Sequence, residues 1–202
     1  SIDEWLKKHI IEPLNLKGTG YRHQLNQISK DEFVPTSVGN PFEQYLSQKT
    51  LQDWQQYLKA AKIEYLAPEE IYFRNYRLQG ECNDGNCFYL NQTAPHAGLF
   101  STIEDLSVIA KFWINEEPSY AKIFKFLYES SENSKEYLFC TSHQTLAWNA
   151  NVELFGHHGF TGCSFSFDKQ LTEWRIFLSN RQYYGLDDQK NYPPWKKILS
   201  LL

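Results

Sequence analysis

Polar and apolar positions alternate most clearly in the last third of the chain. In Cys163-Ser164-Phe165-Ser166-Phe167-Asp168, small or polar residues alternate with Phe, the period of two that marks a half-buried strand. Trp174-Arg175-Ile176-Phe177-Leu178-Ser179-Asn180 continues the pattern as a second strand that ends on polar residues. The short Asp168-Lys169-Gln170 turn between them predicts an antiparallel hairpin. The chain reads as strands from Tyr137 onward, and Pro193-Pro194 opens a last helix running to Leu202.

The front of the chain follows the helical period instead. Trp5, Leu6, Ile10 and Ile11 share a helix face over Asp3 to Ile11, and Pro13 stops it. Residues 20 to 41 are polar and irregular and end in Val34-Pro35-Thr36-Ser37-Val38-Gly39-Asn40-Pro41, a loop signal. Short helices are predicted over Phe42 to Leu46, over Leu51 to Ala61 and from Pro68-Glu69-Glu70. Ser101 or Thr102 caps a further helix through Trp113, with Glu104 and Asp105 placed to favour its dipole. Ser119 to Tyr128 is another amphipathic helix, and 129 to 136 a polar linker. The expected class is α+β: a mainly helical lobe over 1–136, then antiparallel strands and a closing helix over 137–202.

Phe155-Gly156-His157-His158-Gly159-Phe160-Thr161-Gly162 precedes the hairpin, with three glycines and two adjacent histidines. Glycines beside a strand let a ligand or another backbone come close, so this edge is a candidate binding wall. On composition alone, His157-His158 reads as a partly exposed pair at a strand end.

With 42% hydrophobic residues and 16% aromatics in 202 residues, the chain can bury a sizeable core. The formal net charge of −4 and the absence of a basic patch speak against nucleic acid. No apolar run is long enough to cross a membrane, and no signal peptide is visible. There is no Met, so the sequence is expected to be a piece of a longer product. Cys82 and Cys87 flank Asn-Asp-Gly-Asn, a turn-forming tetrapeptide. They read as a small-loop disulfide or as free thiols. A zinc pair would need a second pair nearby, and Cys140 and Cys163 are not spaced like ligands. No cofactor is expected.

Three stretches carry a family resemblance. His157-His158-Gly159 resembles the third motif, Lys-Thr-Gly or His-Thr-Gly, of the penicillin-recognising serine hydrolases: class C type β-lactamases, DD-peptidases and related esterases. His157 stands at the Lys/His position, His158 where the family has Thr or Ser, and Gly159 at the Gly. Ile11-Glu12-Pro13-Leu14 through Thr19 is similar to the family's E-P-L-G-M-x-x-T, which follows its second motif, Tyr-x-Asn. Gly80 to Tyr89 and Pro95-His96-Ala97-Gly98-Leu99-Phe100-Ser101-Thr102 resemble G-x-V-N-D-x-N-A and G-H-A-G-L-F-S-T.

The resemblance covers nearly all of the chain and implies the back half of the β-lactamase/transpeptidase fold. It places His96 and Ala97 in a turn walling the substrate cleft, and Asn180 near a substrate carboxylate. It implies a small acyl donor as substrate, no cofactor and no metal, and members of the family are often exported.

The family's acyl transfer needs a Ser with a Lys one helical turn later, where the amine can take the hydroxyl proton. Ser119-Tyr120-Ala121-Lys122 and Ser166-Phe167-Asp168-Lys169 fit the spacing, but both follow the Pro-His-Ala-Gly-Leu stretch, whereas the family's nucleophile lies far before it. Tyr89-Leu90-Asn91 aligns with another family segment than Tyr-x-Asn. No catalytic residue is therefore assigned in this chain. The expected function is the C-terminal part of a β-lactamase-related serine hydrolase, inactive by itself. The alternative is a non-catalytic binding or interaction domain on a degraded hydrolase fold. A metal hydrolase using His96, His157 and His158 lacks His-Glu-x-x-His and ranks last. A missing N-terminal segment would leave an apolar face exposed, self-associated or covered by a partner.

Overall fold

The structure is a computed structural model that describes residues 1–62, 73–116, 144–145, 148–150, 154–168 and 172–194. It is α+β, with helices and an antiparallel sheet. The chain forms two units that interleave in sequence. One comprises Ser1–Gly20, Phe100–Asn180 and Lys197–Leu202, the other Tyr21–Leu99 and Arg181–Lys196. The expected boundary at 136/137 falls outside the described residues, as do the helices from Pro68 and over Ser119 to Tyr128, the linker 129–136 and residues 195–202 of the closing helix. Two-residue strands, Gly20–Tyr21 (β1) and Leu99–Phe100 (β2), lie where the chain passes from one unit to the other.

In the first unit, helix α1 (Ile2–Leu6) begins at Ser1, whose hydroxyl donates to Glu4 at 2.9 Å, and continues as a wider π-helical turn over Lys7–Ile11. Helix α4 (Ile103–Lys111) starts at Thr102, whose Oγ1 accepts from the Asp105 amide at 3.2 Å, as its capping sequence predicts. A further π-helical turn, Phe112–Glu116, carries Trp113.

The sheet of this unit has the order β3 (Gln144–Thr145), β4 (Trp148–Ala150), β5 (Leu154–His158), β6 (Ser164–Asp168) and β7 (Trp174–Phe177), and every neighbouring pair is antiparallel. The hairpin expected from the alternation is β6–β7, in register Phe165 to Ile176 and Phe167 to Trp174. Asp168 closes its turn by accepting from the Thr172 and Glu173 amides at 2.7 and 2.8 Å. The strand ends at Phe177 rather than Asn180.

β6 differs from the half-buried strand expected. Phe167 is buried, but so are Ser164 and Ser166 on the opposite face. β6 lies between β5 and β7, and its serines leave room for close packing. On the Phe face, Trp113 lies 5.7 Å from the Phe165 ring and 6.0 Å from that of Phe167, and α4 runs beside β7.

In the second unit, helix α2 (Pro41–Ala60) is continuous where two short helices were expected. Ser47 to Thr50 interrupts the apolar pattern without containing Gly or Pro, so nothing breaks the backbone ladder, and Pro41 is favoured in the first turn. The stretch 34–41 is also more ordered than its prolines imply. It lies antiparallel to 76–78 through Thr36 amide to Leu78 carbonyl, Leu78 amide to Ser37 carbonyl and Gly39 amide to Tyr76 carbonyl, at 2.8 to 3.0 Å. Leu78 is buried there, and Tyr21, Leu25, Phe33, Cys82, Cys87 and Ala94 are buried in the same unit. Helix α3 (Gly85–Tyr89) begins at Asp84, whose carboxylate accepts from the Cys87 amide at 2.7 Å.

Apolar side chains also remain exposed, among them Trp5, Ile103 and Val108 in the first unit and Val34, Tyr57 and Tyr184 in the second. Among the described residues no helix is long and apolar enough to cross a membrane.

Candidate functional site

Successive strand residues leave opposite faces of a sheet. The β5–β6 register pairs His157 with Phe165 and His158 with Ser164, so the two histidines belong to different faces. His157 sits at the end of the face that carries Phe165 and Phe167, and is exposed. His158 is half-buried on the serine face, its Nδ1 hydrogen-bonded to Ser164 Oγ at 3.0 Å. This cross-strand bond orients the His158 ring and uses a serine that is itself buried.

The glycines around the pair have separate reasons. A Cβ at Gly156 would meet the Phe165 carbonyl and the Ser166 Cβ, each at 2.5 Å. Gly159 and Gly162 form the turn into β6. The Gly162 amide donates to the Gly159 carbonyl at 3.1 Å, and the Gly159 amide to the Cys163 carbonyl at 2.7 Å. Gly162 has φ +107, which a side chain strains. Gly162→Ala is expected to cost about 1–2 kcal/mol, read as a lower urea midpoint with unchanged slope.

Ser179 Oγ donates to the Gly162 carbonyl at 2.6 Å, which ties the segment after β7 to this turn. Asn180 follows directly. His157, His158, Gly159 and Asn180 thus gather at one end of the sheet.

His96 and Ala97 belong to the other unit. They stand in a turn closed by an Ala94–Ala97 bridge, with the Ala94 carbonyl accepting from the Tyr21 hydroxyl at 2.8 Å. His96 is exposed, and its Nε2 lies 3.3 Å from Asp84 Oδ1, the carboxylate that caps α3. The Ala97 carbonyl accepts from Cys87 Sγ at 3.3 Å. The Gly85 amide donates to Glu43 at 2.9 Å; burial pushes this carboxyl above its ordinary range, against the pull of that bond.

Two groups with decisive hydrogen bonding escaped the sequence reading. Asp84 was legible only as part of a turn, although Asp followed by Gly is also a helix-cap signal. Ser164 could have been paired with His158 by counting back across the turn. Among the described residues no group of three or more His, Cys, Asp or Glu is placed to hold a metal ion.

No protein-family model matches this chain, and no curated protein and no solved structure matches it significantly.

Proposed function

We propose that this chain is the C-terminal portion of a β-lactamase-related serine hydrolase, with amide or ester acyl transfer belonging to the intact protein. The reading rests on the resemblance of its three motifs. The observation that best supports it is the position of His157-His158-Gly159. They occupy the end of an inner antiparallel strand and the turn after it, with Asn180 at the same end of the sheet. An exposed imidazole there can contact a substrate or the anionic oxygen of a tetrahedral intermediate. The helix after the Pro95–Thr102 stretch begins at Thr102, consistent with the family's second signature.

In this reading the attacking serine and its lysine precede Ser1, so the 202-residue chain turns over neither a chromogenic cephalosporin nor a p-nitrophenyl ester. In a longer polypeptide that includes the upstream coding sequence, His157→Ala should lower kcat/KM about 10²-fold. His157→Lys should retain most of the activity, because the family accepts either residue. Equal activity of the Ala variant and the parent would remove His157 from the site.

One observation favours the second reading, a binding or interaction domain on a degraded hydrolase fold. At the position of the family's Thr, the side chain of His158 bonds to Ser164 and carries no hydroxyl. An upstream coding sequence without Ser-x-x-Lys and Tyr-x-Asn would select this reading.

A further inference from the structure

Cys82 and Cys87 are both buried, at 4% and 0% exposure, and pack together with Ala94 and Ala97. The two thiols are neighbours within this buried cluster. Cys87 has a second contact: its Sγ donates to the Ala97 carbonyl at 3.3 Å. The neighbouring Gly98 has φ +94, and a Cβ there would lie 2.8 Å from the same sulfur. The backbone of the turn carrying His96 is therefore laid directly on Cys87.

We propose that Cys82 and Cys87 form a dithiol that closes to an intramolecular disulfide, and that closure releases the thiol contact holding the His96–Gly98 turn. The chemistry balances with a disulfide oxidant such as glutathione disulfide. One cysteine thiolate attacks it and expels one glutathione thiolate. The second cysteine then attacks the mixed disulfide and expels the other. Two protons and two electrons leave the protein, and one S–S bond forms. The oxidised sulfur carries no hydrogen and no longer donates to Ala97.

Burial raises both thiol pKa values above the ordinary cysteine value, most strongly for Cys82, which suppresses the attacking thiolate. Closure is therefore fast while the chain folds and slow once it has folded. Disulfide closure here depends only on the geometry of this unit, whether or not the chain belongs to a hydrolase.

The test is to refold reduced protein in a glutathione redox buffer, then denature it and block remaining thiols with N-ethylmaleimide. Of the four cysteines, two should take the label, and the peptide spanning 82–87 should be lighter by two hydrogen atoms. Cys82→Ser should then take three labels. Four labels on the parent, or a link from Cys82 or Cys87 to Cys140 or Cys163, would overturn the disulfide. Hydrogen exchange of the peptide covering 94–98 should be roughly threefold faster in the oxidised protein. Equal exchange in both redox states would overturn the coupling to the turn.

Discussion

Arg74→Ala is expected to lower stability in the second unit by about 3–4 kcal/mol. Arg74 is 3% exposed and donates from each of its three guanidinium nitrogens. Nε donates to Asn40 Oδ1 at 2.9 Å, and the two terminal nitrogens to the carbonyls of Cys82 and Asn83 at 2.6 and 2.8 Å. The Phe88 ring lies below it at 4.3 Å, and Glu81 approaches to 3.8 Å. Removing the fork takes the charged donor from the Cys82 carbonyl in a buried setting, and charge-assisted bonds contribute roughly 1.5–3 kcal/mol each. Arg74→Lys keeps the charge but not three directed bonds, and should recover less than half of the loss. Urea unfolding of the three proteins checks this. A loss under about 1 kcal/mol for the Ala variant would show that the fork is not the clasp of the 80–84 segment.

Asp105→Ala should cost about 2–4 kcal/mol in the first unit. Asp105 lies in the first turn of α4 and is 8% exposed. Its carboxylate accepts from the Gly18 amide and the Thr19 hydroxyl, both at 2.8 Å, and from the Lys17 amide at 3.4 Å. The Thr19 hydroxyl also contacts Ser101 Oγ at 2.8 Å. Without the carboxylate, these donors face a gap at the start of a helix. Asp105→Asn keeps one acceptor but turns an amide N–H₂ toward donors, so it should be nearly as damaging. Exchange of the Gly18 amide should quicken in both variants more than exchange elsewhere in α1 or α4. Unchanged protection at Gly18 would contradict the assignment.

What could be read along the chain was local. Thr102 followed by acidic residues and then an apolar period marked α4, and Ser-Phe alternation marked β6, because a cap and a pleat each need only a few consecutive residues. The failures have physical causes. Ser47-Gln48-Lys49-Thr50 lost the apolar period, yet a solvated polar turn continues a helix at little cost, so α2 runs through it. The Pro-rich 34–41 stretch pairs with 76–78, partners that no local pattern announces. The Asp105 clasp joins residues 86 to 88 positions apart in sequence. At the candidate site, the His-His-Gly stretch was visible as a strand end. That its histidines face opposite ways follows from strand geometry once the register is known. The bonds from Ser179 to Gly162 and from His158 to Ser164 depend on which strands neighbour one another.

The most direct test compares the intact masses of two polypeptides after incubation with a β-lactam: Ser1–Leu202, and a polypeptide extended by any upstream coding sequence. On the proposed hydrolase reading, a penicilloyl adduct is expected on a serine of an upstream Ser-x-x-Lys in the longer polypeptide, with an unchanged mass for Ser1–Leu202. An adduct on the 202-residue chain, or a longer polypeptide that neither acquires an adduct nor turns over the β-lactam, would contradict it.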